Sequence, residues 1–176
     1  MEARFIQAGD GPGLRTEAVQ AAANGAAAVF LDPGPLGDPV VLAAGIADLV
    51  PELLLGARIN LLADGRHPAM LARDVTSLDL VCGGRSVLCF APPFTDELAE
   101  AISLCRAMWR AGEVVREGPF FPVRVALNRA RPAGEGSPRI ALDLTAGGGP
   151  PDDVTGAVDF LLRPTASSAV CRLETV

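Results

Sequence analysis

Carboxylates, amides and one guanidinium mark the ends of the apolar runs in this chain: Gln7, Asp10, Asp32, Asn60, Asp143 and Arg163. A carboxylate such as Asp32 becomes a general base when its surroundings strip it of water. Beside Pro33 the same side chain caps a turn, and the sequence leaves both roles open. His67 is the one imidazole. In Arg66-His67-Pro68 it reads as part of a helix entry, because proline suits the first helical turn. Cys82, Cys89, Cys105 and Cys171 lack the C-x-x-C spacing of a zinc site and read as buried thiols. Gly9-Asp10-Gly11-Pro12-Gly13, with Asp32 further on, imitates a dinucleotide-binding loop. The position of its third glycine is taken by Leu14, which argues against that reading. Gly147-Gly148-Gly149 offers an anion nest or, more simply, a flexible loop.

These residues need a scaffold, and the chain alternates strand with helix. Strands are expected at residues 4–8, 26–31, 53–62, 85–90 and 139–144, with further ones at 157–162 and 169–174. Helices are expected at 16–24, 39–49, 67–81 and 96–110, and a loop over 111–137. Strands apolar on both faces, separated by helices, imply a parallel sheet covered by helices. A complete (β/α)8 barrel takes about 250 residues, and this chain has 176. Four strand–helix units are legible, followed by strands with little helical cover. The expected fold is therefore an α/β, incomplete TIM-type barrel of 6–7 mainly parallel strands, in one domain over 1–176.

Composition excludes several classes of function. The formal net charge is −6, and no basic stripe suits a nucleic acid or an anionic membrane. No apolar run approaches the roughly 18 residues of a membrane span, and the first residues lack a signal-peptide core. A cytoplasmic protein is the plain expectation. An open barrel would leave backbone groups unpaired on its last strand. That points to a homodimer, or a heterodimer with a longer relative, with Leu161, Leu162, Val170 and Leu173 in the contact.

The segment 66–132 carries a resemblance. Arg66-His67-Pro68 opens a helix that runs to Leu78-Asp79, and Cys82-Gly83-Gly84-Arg85 turns into the strand ending Leu88-Cys89-Phe90-Ala91. The helix with Trp109, then Phe120-Phe121-Pro122-Val123-Arg124 and Leu127-Asn128-Arg129-Ala130-Arg131-Pro132, continue it. The segment resembles the luciferase-like monooxygenase family of flavin- and F420-dependent oxidoreductases. The resemblance implies FMN or F420 as the cofactor, if one is kept, with monooxygenation of, or hydride transfer to, a small organic ligand.

It also locates the departures. The family's Glu-His or His-His pair at the end of the second strand is matched by Phe30-Leu31-Asp32-Pro33-Gly34, which leaves Asp32 as the candidate catalytic group. The third strand matches Leu55-Gly56-Ala57-Arg58-Ile59-Asn60. The family's non-prolyl cis peptide there would fall at Arg58–Ile59. Arg58, Asn60 and Ala91 are the implied cofactor contacts; Arg58 would anchor a phosphate or block the ring. Phe90, Pro92 and Pro93 stand where the family has small residues, so the flavin site is expected to be spoiled. A non-catalytic ligand-binding or dimerising subunit is the alternative function.

Overall fold

The computed structural model describes residues 1–7, 10–34, 37–136, 138–147, 149, 152–167 and 170–176. Its centre is a closed barrel of seven strands: β1 (Glu2–Ile6), β2 (Ala28–Leu31), β3 (Leu54–Ile59), β4 (Ser86–Phe90), β7 (Arg139–Asp143), β8 (Phe160–Pro164) and β9 (Val170–Thr175). Neighbours from β1 to β8 pair in parallel. The last strand, β9, runs antiparallel to both β8 and β1 and closes the ring.

That closure corrects the open edge expected from the sequence. A reversed final strand needs only a short return from β8, and it supplies both edges with hydrogen-bonding partners without another crossover helix. Leu161, Leu162 and Leu173 are accordingly buried within the chain itself. They offer no face to a partner, and Val170 is half-buried.

The outer layer is α1 (Gly11–Ala23), α2 (Pro39–Ala44), the short α3 (Leu61–Asp64), α4 (Pro68–Val81), α5 (Asp96–Ala111) and the four-residue α6 (Asp152–Thr155). Apolar strand residues alternate between two cores. One faces the helices and includes Leu31, Leu55, Leu88, Phe90 and Leu142. The other fills the barrel with Ala3, Ala28, Phe30, Cys89, Phe160 and Leu162. Among the described residues no helix is long and apolar enough to cross a membrane.

The glycine-rich start of α1 is a capped helix end. Asp10 accepts a hydrogen bond from the Gly13 N–H at 2.6 Å, so its carboxylate occupies the place a phosphate would take. Gly9 and Gly148 lie outside the described residues. The expected loop 111–137 instead holds a hairpin, β5 (Glu113–Arg116) with β6 (Val123–Leu127), apart from the barrel. Glu100 of α5 fastens its tip, accepting from the Phe120 and Phe121 N–H groups.

Between α4 and β4, Gly83 and Gly84 both adopt positive φ, 65° and 85°. The Gly84 N–H donates to the Asp79 carbonyl at 2.9 Å. The side chains flanking the turn bind elsewhere: Asp79 accepts from the Ser86 hydroxyl and the Ala133 N–H, and Arg85 donates to the Val50, Leu53 and Ala47 carbonyls. A Cβ in the left-handed region costs roughly 1–2 kcal/mol per residue. Changing both glycines to Ala should therefore lower the melting temperature by about 4 °C or more. A scan showing no shift would make the turn dispensable to the fold.

Candidate functional site

Parallel strands aim their C-terminal ends at one mouth of the barrel, where such folds place their sites. Asp32 follows β2, Arg58 lies on β3, Asp143 ends β7, and Phe5 lies on β1. An arginine facing the barrel interior must find counter-charge or remain an uncompensated ion. Arg58 finds two. Its Nη1 donates to Asp32 Oδ1 at 2.8 Å, and its Nε and Nη2 reach Asp143 Oδ2 at 2.8 and 2.7 Å. The other Asp143 oxygen accepts from the Thr145 N–H at 2.9 Å and hydroxyl at 2.6 Å. The guanidinium also lies 5.5 Å from the centroid of the Phe5 ring, within cation–π range.

Burial pushes the Arg58 pKa down, but the hydrogen bond and charge of Asp143, with those of Asp32, outweigh it and the net direction is up. Arg58 is a fixed cation. Asp143 is fully buried, while Asp32 and Arg58 keep about a fifth to a quarter of their side chains exposed, 21% and 26%. Two carboxylates around one guanidinium leave the cluster with an excess negative charge. Beneath it Phe30 lies against Gly56, where a Cβ would come within 2.0 Å of the ring.

The structure thus brings together Asp32, Arg58 and Asp143. Asn60 serves the backbone instead: its Oδ1 accepts from the Ala63 N–H, capping α3, and its Nδ2 donates to the Pro92 carbonyl. Ala91 is buried, and its N–H donates to the Ile59 carbonyl. Gln7 is exposed, Asp10 caps α1, and Arg163 pairs with Glu174 of β9. His67 caps α4 through Nδ1, which accepts from the Ala69 N–H at 3.2 Å. Its ring meets Phe121 edge-on.

Two expectations for the mouth are corrected. Arg58–Ile59 is ordinary strand paired with Cys89 and Phe90, and the cis peptide among the described residues is Pro92–Pro93. Phe90 does not fill the cofactor space either, because it faces the helix-side core. The barrel space is taken by Phe5, Phe30 and Arg58.

The four cysteines are free and buried. Burial pushes the Cys105 and Cys171 thiols up to about 12 and Cys89 well above its ordinary value. They are poor nucleophiles and poor metal ligands. Among the described residues no group of His, Cys, Asp and Glu could hold a metal ion.

Asp32 and Asp143 both end strands, so each was legible alone. Their convergence on Arg58 was not, although an arginine inside an apolar strand signals a need for carboxylate partners.

No protein-family model matches the chain, and no curated protein sequence matches it. Solved structures do. A monooxygenase from Streptomyces bottropensis is 19% identical, with a TM-score of 0.61 over 80% of this chain and 53% of its own. An F420-dependent secondary alcohol dehydrogenase, solved with an F420–acetone adduct, is 15% identical, with a TM-score of 0.69 over 92% and 57%. The coenzyme F420-dependent tetrahydromethanopterin reductase of Methanopyrus kandleri is 17% identical, with a TM-score of 0.66 over 80% and 49%. The chain spans about half the length of these proteins. Its fold is that of the luciferase-like monooxygenases and F420-dependent oxidoreductases, in a shortened, seven-stranded form.

Proposed function

We propose that this chain is a luciferase-like oxidoreductase homologue whose barrel mouth is a structural plug, and that it acts as a non-catalytic ligand-binding or dimerising subunit. One observation carries the reading: the Arg58 guanidinium is committed to Asp32 and Asp143. A phosphate or an isoalloxazine would have to displace two carboxylates, one fully buried, from a cluster that is already net negative. The described residues of the mouth do not fit FMN or F420.

The second reading is an FMN- or F420-linked monooxygenase or hydride-transfer enzyme, with Asp32 as base and Arg58, Asn60 and Ala91 beside the cofactor. The structural neighbours favour it, since they include a monooxygenase and two F420-dependent enzymes.

Fluorescence titration with FMN and with F420 separates the two. The plug predicts no saturable binding below about 100 μM (roughly −5.5 kcal/mol). A submicromolar dissociation constant for either cofactor restores the enzyme reading.

Homodimerisation, or pairing with a full-length relative, belongs to the same proposal. The hairpin supports it, because it exposes Val115, Phe120, Val125 and Leu127. An apolar cluster of this kind is a common mark of an interface. Light scattering should give a dimer at micromolar concentration, and V115D/V125D should make it monomeric. A monomeric parent chain would remove the association. A cytoplasmic location completes the proposal.

A further inference from the structure

Among the described residues the crossover from β7 to β8 contains only α6, of four residues, where a full helix would otherwise pack beside α5. The space left over is a cleft of about 810 Å³ at the opposite end of the barrel from Arg58, within the size range of small-molecule sites. Its walls come from the last turns of α5, the segment 131–136 and the turn before β8, and three arginines line it: Arg106, Arg110 and Arg131.

Their roles differ. Arg106 pairs with Asp159 and donates to the Ala157 and Pro138 carbonyls, so it builds the wall and its charge is cancelled. Arg131 donates to the Arg110 and Ala111 carbonyls at 2.9 and 3.2 Å. It thereby covers the C-terminal carbonyls of α5, whose partial negative charge would oppose an anion. A guanidinium has five donors, so others remain on Arg131. Arg110 lies one turn beyond Arg106 on the same helix face. Among the described residues neither Arg110 nor Arg131 forms an ion pair. Glu135 is the remaining carboxylate of the lining. Two cations against one anion leave one positive charge in excess, in a chain whose net charge is −6. Trp109 supplies a fixed apolar wall, its indole N–H held by the Ala72 carbonyl at 3.0 Å.

We infer that this cleft binds a small molecule carrying a phosphate or carboxylate on an apolar body, the oxyanion against Arg110 and Arg131 and the body along Trp109. Guanidinium forks suit both oxyanions. The site shares no residue with the barrel mouth, so it stands or falls apart from the reading of Arg58.

The chain has one tryptophan and no tyrosine, so Trp109 emission reports directly on the cleft. Phenyl phosphate, benzoate and neutral benzyl alcohol are titrated by fluorescence and calorimetry, with inorganic phosphate as a further arm. We expect saturable binding of phenyl phosphate or benzoate at about 1 mM or tighter, with benzyl alcohol at least roughly tenfold weaker. The stronger of the two anions identifies the headgroup. R110Q should weaken binding roughly tenfold with the melting temperature unchanged, because Arg110 is exposed, and R110E should weaken binding more. Absence of calorimetric binding for both anions overturns the inference, as does equal binding of the neutral probe. It is also overturned if R110E dissociates a dimer in light scattering, since the cleft would then be a contact between two copies.

Discussion

Replacing Arg58 with Met is expected to destabilise the fold by about 3 kcal/mol, the low end for breaking a buried pair, and to lower the melting temperature by roughly 6–12 °C. The cost arises mainly at Asp143. Its carboxylate is fully buried, and without Arg58 its Oδ2 loses both guanidinium contacts while Thr145 still serves Oδ1. Asp32 contributes less, because water reaches it and screens the change. R58M/D143L should recover at least half of the lost stability, since a neutral apolar pair removes the stranded charge. Thermal melts of both variants test this. If R58M melts with the parent, the bridge does not hold the mouth together and Arg58 is available to a ligand.

The second large effect is expected inside the barrel. An alanine at Gly56 would place its Cβ 2.0–2.8 Å from three atoms of the Phe30 ring. Phe30 is fully buried among Ala3, Ala28, Val87 and Cys89. The ring has nowhere to retreat, and the clash is with a rigid group in a closed cylinder. G56A should therefore cost about 3 kcal/mol, the upper end for overpacking. G56A/F30L, which removes the obstructing ring atoms, should be more stable than G56A alone. Denaturant unfolding of the parent and the two variants measures both steps. A double variant no better than the single would mean that the glycine answers a backbone requirement and not the ring.

Much of the fold was legible from local chemistry. The strands β2, β4 and β7 are legible because strands covered on both faces are built mostly of apolar residues. The α4–β4 turn was legible because two consecutive glycines permit the positive φ that ends a helix. His67 beside Pro68 marked a helix entry, and the cysteines without ligand spacing marked buried thiols. Those inferences rest on a residue and its near neighbours in the chain.

What the sequence left open depends on pairs far apart in it. The direction of β9 is such a case: Val170–Thr175 has the same apolar alternation whether it runs parallel or antiparallel. Only the short return from β8 and the position of β1 across the ring decide that it reverses and closes the barrel. The hairpin β5–β6 is another, for Val115 and Val125 face solvent and leave no buried period to read. The candidate site is the third. Arg58, Asp32 and Asp143 are separated by 26 and 85 residues, and each alone reads as a strand end or an odd charge. Barrel closure sets their strand ends around one mouth. There a guanidinium removed from water is stable only with carboxylates against it, and that requirement joins the three.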